Sequence, residues 1–182
     1  INSVLKSRYK DKFVIATLSR FDVQKNMGLM YEIASKLKNH KNIQFIFIGD
    51  GNDKLILEQK AKKENLTNID FVGFKNHDEI SEYFTVTDVY LTTARWEGLP
   101  FALVEASSIG LPIIASDVVG NNEVCLHERN GILYPSENST KAVEAIMALY
   151  SDNDKLKEYG RNSLRVFEQY FTVNQMVNNH ET

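Results

Sequence analysis

The chain has 182 residues, of which 43% are apolar and 25% are charged, and its formal net charge is −3. These are ordinary values for a soluble globular domain, and the slight acidity argues against a protein that binds nucleic acid through its phosphate backbone. No apolar run approaches 18 residues, which argues against a membrane span. The single cysteine, Cys125, excludes an internal disulfide and fits a reducing compartment. Because the sequence begins at Ile1 rather than at Met, we expect a segment of a longer protein.

Short apolar runs alternate with amphipathic segments along the chain. In chain order, the runs predict strands at 13–18, 43–48, 69–72, 89–92, 112–115 and 131–134. The other segments predict helices at 26–37, 54–63, 78–84, 101–109, 139–150 and 154–170. Asn138 or Ser139 can cap the helix at 139–150, and Ser151 or Asp152 can cap the last one.

This alternation predicts the fold class. We expect an α/β domain over residues 1–170, with a Rossmann-like, doubly wound parallel sheet of about six strands and helices on both faces. Ligands bind such sheets outside the carboxyl ends of the strands. A site is therefore expected among the loops at 19–20, 49–51, 73–75, 93–97 and 116–120.

Two carboxylates mark the loop after the fourth predicted strand. Gly98 and Pro100 interrupt the chain after Glu97, and Pro100 is suited to the first helical position. Glu105 then falls about one turn inside the helix. The free N–H groups of the first turn form a natural seat for an anion. A phosphate flanked by two hydroxyl-binding carboxylates indicates a sugar nucleotide, although two solvated surface glutamates would give the same spacing.

Two cations follow the first predicted strand on the same edge. Arg20 carries a planar fork that suits phosphate oxygens, and Lys25 carries a point charge. Each alone is typical of a solvated surface. Together, beside a helix N-terminus, they indicate a clamp for a diphosphate.

Other motifs carry less information. The turn Gly49-Asp50-Gly51 is not a dinucleotide fingerprint, because position 54 is Lys54 where a third glycine is required, and we interpret it as a tight turn. Asp152 and Asp154 fit a helix N-terminus better than a metal site. We expect Trp96 to be a packing residue. The cations at 60, 62 and 63 fit a solvated helix face, and the four histidines show no zinc-ligand spacing.

The segments at 18–26, 47–51, 71–73, 95–106, 110–116, 120–123 and 130–134 together resemble one family in order and spacing. They are similar to the C-terminal, donor-binding half of the retaining glycosyltransferases of group 1 (family 4), which have the GT-B architecture. The sequence departs from the family pattern at Thr93-Ala94-Arg95, where a small pair is usual. It departs again at Asn121, which replaces a frequent second glycine.

The resemblance implies a hexosyltransferase that moves a sugar from a UDP- or GDP-sugar to a glycan or lipid acceptor, with retention and without a metal or other cofactor. It implies catalytic roles for Glu97, Arg20 and Lys25, with Glu97 facing the sugar and the cations binding the diphosphate. It implies that Glu105 holds the ribose. The implied donor-binding residues are Arg20, Lys25, Gly73, Phe74, Lys75, Glu97, Gly98, Leu99, Pro100, Phe101, Ala102, Leu103 and Glu105.

The same resemblance places the acceptor on an N-terminal half outside this sequence, so we expect the fragment alone to be inactive. Residues 171–182 should pack on that half and be loosely held here. Surface polysaccharide or lipopolysaccharide assembly, by a cytoplasmic enzyme at the inner face of the cell membrane, is the expected setting. Two alternatives remain open: a non-catalytic nucleotide-binding module, and half of a sugar-nucleotide epimerase.

Overall fold

Six parallel strands form a single sheet in the computed structural model, which describes residues 2–172. The strands are β1 (Phe13–Leu18), β2 (Ile43–Ile48), β3 (Ile69–Gly73), β4 (Val89–Thr92), β5 (Ile113–Ser116) and β6 (Gly131–Tyr134). Their order is β3-β2-β1-β4-β5-β6, and every neighbouring pair is parallel. The predicted doubly wound sheet is confirmed. The order reverses between β1 and β4, which is the topological switch point of such a sheet.

The helices connect these strands and cover the sheet. They are α1 (Ser3–Arg8), α2 (Met27–Lys36), α3 (Lys54–Lys63), α4 (His77–Phe84), α5 (Phe101–Ser108), α6 (Asn121–Val124), α7 (Ser139–Tyr150) and α8 (Asn153–Tyr170). Sequence analysis missed α1 and α6, because six and four residues are too few to show a helical period. None of the helices in the described part of the chain is long and apolar enough to cross a membrane.

Side-chain caps fix several helix starts. The Asn76 side chain accepts from the N–H of Glu79, and the Glu79 carboxylate accepts from the N–H of Asn76, so α4 begins at His77 rather than at 78. Asn138 and Asp152 cap α7 and α8, which confirms one of the two predicted candidates at each end. Asp152 therefore acts as a cap. Within residues 2–172, no group of three or more His, Cys, Asp or Glu side chains could hold a metal ion.

Two hydrophobic cores cover the two faces of the sheet. In β1, Val14 and Ala16 point into one core and Ile15 points into the other, and all three are at most 1% exposed. Burial on both faces explains why the strands appear as continuous apolar runs. Phe171 packs at the margin of the second core. Residues 173–182 lie outside the described residues, so the expected behaviour of the tail stays a prediction.

Candidate functional site

The carboxyl ends of β1 and β4 carry the predicted charged residues. These strands are neighbours, with Ile15 beside Val89 and Ala16 beside Tyr90. The Tyr90 hydroxyl ties the two ends together, since it accepts from the N–H of Leu18 at 3.2 Å and donates to the Leu18 carbonyl at 3.0 Å. Burial raises the pKa of Tyr90, and the negative charges of Glu97 and Glu105 raise it further. The hydroxyl therefore keeps its proton and its position.

Lys25 and Glu97 form an ion pair across the switch point. The Glu97 side chain is 6% exposed and that of Lys25 is 22% exposed. The second oxygen of Glu97, Oε2, lies 3.4 Å from the side-chain nitrogen of Gln24. Glu97 is thus a buried carboxylate with partners on both oxygens, which excludes the interpretation of this residue as a solvated surface glutamate.

A cavity of about 390 Å³ opens beside this pair. Its lining comprises Leu18, Ser19, Arg20, Lys25, Gly49, Asp50, Phe74, Lys75 and Ile80. Arg20 and Lys25, predicted after the first strand, and Phe74 and Lys75, predicted after the third, thus come together around one space. The Arg20 side chain is 72% exposed and lies 3.1 Å from the carboxylate of Asp22, so its guanidinium stands at the mouth of the cavity.

The start of α5 differs from the prediction in two respects. Pro100 is the N-cap, with φ −80° and ψ 80°, and the first helical residue is Phe101. The first turn is tight: the N–H of Phe101 donates to the Leu99 carbonyl at 3.0 Å and the N–H of Leu103 donates to the Pro100 carbonyl at 2.9 Å. Of the N–H groups of Phe101, Ala102 and Leu103, only that of Ala102 has no hydrogen-bond partner among the described residues. The first turn of α5 therefore offers an anion fewer free N–H groups than predicted.

A second, smaller cavity of about 150 Å³ joins this turn to the ion pair. It is lined by Lys25 and Glu97 on one side and by the stretch from Leu99 to Leu103 on the other. Leu18, Ser19 and Lys25 line both cavities, so the two spaces are contiguous at Lys25.

Glu105 lies on α5 with 28% of its side chain exposed, and a residue of α4 reaches it. His77 Nδ1 lies 3.4 Å from Glu105 Oε1 on a side chain that is 80% exposed. Sequence analysis considered histidines only as metal ligands and missed this contact. No spacing signal could have found it, because α4 and α5 belong to different segments of the chain.

Glycines allow the loops of this edge to approach one another. Gly49 has φ +129°, and a Cβ at this position would lie 1.9 Å from the Ser19 carbonyl oxygen. A Cβ at Gly120, with φ +88°, would lie 2.4 Å from the Gly98 carbonyl oxygen. The tight turn predicted at Gly49-Asp50-Gly51 lies one step later, at residues 52–53, where the N–H of Lys54 donates to the Gly51 carbonyl at 3.2 Å. The glycines instead allow the loop after β2 to lie against the loop after β1. Asn121, the departure from the family pattern, donates to the carbonyl and to the hydroxyl of Ser116, both at 3.1 Å.

The other departure, Arg95, joins three loops. Its backbone N–H donates to the Gln24 carbonyl and its Nη1 donates to the Val23 carbonyl, both at 2.8 Å. Its Nε donates to Glu137 at 2.6 Å, and this contact lowers the pKa of Glu137. Sequence analysis did not foresee this role. The expectation that Trp96 is a packing residue is wrong, because the residue is 54% exposed.

The family model of the glycosyl transferases of group 1 matches residues 4–166. The chain belongs to this family. It is 30% identical over 161 residues to an uncharacterised 41.2 kDa protein of the cps region of Klebsiella pneumoniae, a match that covers 86% of this chain and 43% of that protein. The chain thus spans less than half the length of this relative.

Solved glycosyltransferase structures share the fold of this group 1 chain. HepE (Alr3699) of Anabaena, crystallised with UDP and glucose, superposes with a TM-score of 0.87 at 21% identity, over 99% of this chain and 51% of that one. The C-terminal domain of the group 1 glycosyl transferase LpcC from Francisella tularensis superposes with a TM-score of 0.80 at 20% identity, over 95% and 94% of the two chains. The chain is thus a C-terminal-type domain of the GT-B architecture.

Proposed function

We propose that this domain binds the nucleotide diphosphate sugar donor of a hexosyltransferase of group 1. The observation that carries the proposal is the ion pair of Lys25 with the buried Glu97 carboxylate at the switch point between β1 and β4, beside a cavity of about 390 Å³. Clefts outside the carboxyl ends of parallel strands at a switch point are where ligands of such sheets bind. A cation for phosphate and a carboxylate for hydroxyls are together what a sugar nucleotide requires.

The diphosphate is assigned to the cationic part of the site. Arg20 stands at the cavity mouth and Lys25 at its inner end, where both cavities meet. The free N–H of Ala102 adds a dipole from α5. Cleavage of the anomeric bond leaves negative charge on the nucleoside diphosphate, and these fixed groups would stabilise that charge without a metal ion.

The hydroxyl groups are assigned to the two glutamates. Glu105 accepts hydrogen bonds from the ribose, and its present neighbour His77 lies on an exposed side chain that can move away. Glu97 faces the transferred sugar and stabilises positive charge near the anomeric carbon. The base is expected against Gly73, Phe74 and Lys75, of which Phe74 and Lys75 line the larger cavity.

The reaction is proposed to proceed with retention, by attack of the acceptor on the face that the diphosphate leaves. Glu97 has partners on both of its oxygens, which disfavours its use as a covalent nucleophile. A trapped glycosyl-enzyme adduct would overturn this proposal. The acceptor, a glycan or a lipid-linked glycan, belongs to a second domain, so this chain alone should bind the donor without transferring sugar.

Nucleotide binding by the chain tests the proposal. A thermal-shift panel with UDP, GDP and ADP should identify one nucleotide that raises the melting temperature, and calorimetry should then show weaker binding by Glu105→Ala. Glu123→Ala, on α6, is a control with an acidic residue elsewhere. Absence of binding by all three nucleotides would refute the proposal. The same calorimetry with the glucose ester of the nucleotide that binds tests the sugar part of the site, and equal affinity for nucleotide and nucleotide sugar would favour the alternative of a non-catalytic nucleotide-binding module.

A further inference from the structure

The side chain of Gln24 lies between Arg20 and Glu97, two charged residues of the site. Its Nε2 donates to the Trp96 carbonyl at 3.0 Å and lies 3.4 Å from Glu97 Oε2, while its Oε1 lies 3.4 Å from Arg20 Nη2. The orientation of the amide follows from its neighbours. A carbonyl and a carboxylate can only accept and a guanidinium can only donate, so the NH₂ group has to face Glu97 and the oxygen has to face Arg20.

The backbone that carries Gln24 is held at several points. The Gln24 carbonyl accepts from the N–H of Arg95 at 2.8 Å, and the preceding carbonyl accepts from the Arg95 guanidinium at the same distance. The Thr93 hydroxyl lies 2.9 Å from the Lys25 carbonyl. These contacts fix the loop after β1 against the loop after β4, so the Gln24 amide starts from a defined place and is preorganised for its contacts.

The proposed function implies a role for the Gln24 amide. Lys25 now neutralises Glu97, yet a donor diphosphate would draw the same ammonium group away. Glu97 would then be a buried carboxylate with a weakened partner, and an uncompensated buried charge is strongly unfavourable. Gln24 donates to the opposite oxygen and is neutral, so it can hold the carboxylate in place without competing for Lys25.

We propose that Gln24 is a positioning residue that keeps Glu97 directed at the sugar of the donor while Lys25 serves the diphosphate. The inference rests on the proposed function and deepens it. It assigns to Gln24 an effect on recognition of the sugar, exerted through Glu97, and little effect on recognition of the nucleotide. A residue with a general structural role would affect both.

The test compares binding of a nucleotide with binding of the same nucleotide carrying glucose. UDP and UDP-glucose, GDP and GDP-glucose, and ADP and ADP-glucose are titrated into the wild-type chain by calorimetry, and the pair that binds is kept. Gln24→Ala and Gln24→Glu are then measured with that pair. Gln59→Ala, an exposed glutamine on α3, is the matched control. Thermal unfolding of each variant confirms that it is folded.

For Gln24→Ala we expect nucleotide affinity within about twofold of the wild type, and roughly tenfold weaker binding of the nucleotide sugar, the scale of one hydrogen bond to a charged group. Gln24→Glu should weaken binding of the nucleotide sugar at least as much, because it replaces the hydrogen-bond donor with a second negative charge beside Glu97. Gln59→Ala should change neither affinity.

The outcomes separate the two proposals. A wild-type chain that binds none of these ligands overturns both. A wild-type chain that binds nucleotide and nucleotide sugar equally well overturns the role of Gln24 and leaves nucleotide binding intact. Equal losses for both ligands in Gln24→Ala, or no loss for either, overturn the role of Gln24 in the same way.

Discussion

Neutralising Glu97 should weaken the fold and strengthen nucleotide binding at the same time. In Glu97→Gln the ion pair with Lys25 is lost, but an amide of the same size remains. Exposed ion pairs contribute about 0–1 kcal/mol, whereas breaking a buried pair costs about 3–5 kcal/mol. Because Glu97 is 6% exposed and Lys25 is 22% exposed, we expect an intermediate loss of about 2 kcal/mol. For a domain of this size the loss corresponds to a fall in Tm of about 4–8 °C.

Nucleotide affinity should move the other way. In Glu97→Gln the Lys25 ammonium loses its internal partner and is free for phosphate, so the nucleotide diphosphate that binds the wild type should bind several-fold more tightly. Lys25→Ala should cost similar stability, because it leaves Glu97 buried without a cationic partner, but it should weaken nucleotide binding. The two variants thus share a stability defect and differ in the sign of the change in affinity.

Urea unfolding and calorimetry measure the two effects on the same samples. Glu144→Gln is the matched control, because Glu144 forms an exposed pair with Lys141 in which both side chains are more than half exposed. Its free energy of unfolding should change by no more than about 0.5 kcal/mol. Equal weakening of nucleotide binding by Glu97→Gln and Lys25→Ala would refute the argument, since it would mean that Lys25 serves only to hold Glu97.

Three further predictions concern other parts of the chain. Gly49→Ala should destabilise the domain by about 3 kcal/mol or more in urea unfolding, because its Cβ would meet a backbone carbonyl. Gly28→Ala, which has open space around it on α2, should stabilise the domain by about 0.5 kcal/mol. Equal effects of the two substitutions would contradict the close approach at Gly49. Burial raises the pKa of Asp88, whose carboxylate accepts from the N–H of Val14 at 2.7 Å. The folded chain therefore binds the carboxyl proton of Asp88 more tightly than the unfolded chain does. The contribution of Asp88 to stability consequently falls as pH rises through its pKa in the folded chain. Asp88→Asn, which keeps the acceptor, should therefore raise Tm relative to the wild type more at pH 7 than at pH 4, and a constant difference would count against the buried charge. On the proposed function, Arg20→Ala in a two-domain transferase that contains this domain should lower turnover by about 100-fold, the scale of losing one preorganised group, and near-normal turnover would remove Arg20 from the clamp.

Much of this fold could be predicted from the sequence because its determinants are local. All six strands are short runs rich in apolar residues, and five of them are buried along most of their length, so their composition marks them. The edge strand β3 is buried only at Ile69. The caps at Asn138 and Asp152 could be predicted because each depends on a single side-chain acceptor at the start of a helical pattern. Helices α1 and α6 are too short for periodicity and depend on tertiary packing.

From the sequence, the site could be assigned only to one edge of the sheet. Parallel strands bring their carboxyl ends together, so Arg20, Lys25 and Glu97 could be placed on one side of the sheet before the structure was known. That Lys25 and Glu97 touch, that Gln24 lies between Glu97 and Arg20, and that His77 reaches Glu105 could not be predicted. Such contacts join distant segments and depend on side-chain conformation.

The central claim is that the nucleotide part of a sugar donor binds at the carboxyl edge between β1 and β4. The most direct test is an NMR titration of the ¹⁵N-labelled chain with UDP, GDP and ADP. We predict that the nucleotide that binds shifts the backbone signals of Arg20, Lys25, Ala102 and Glu105 with a common dissociation constant. Shifts confined to the cavity of about 490 Å³ between α3 and β3, or no saturable shifts with any of the three, would contradict the claim.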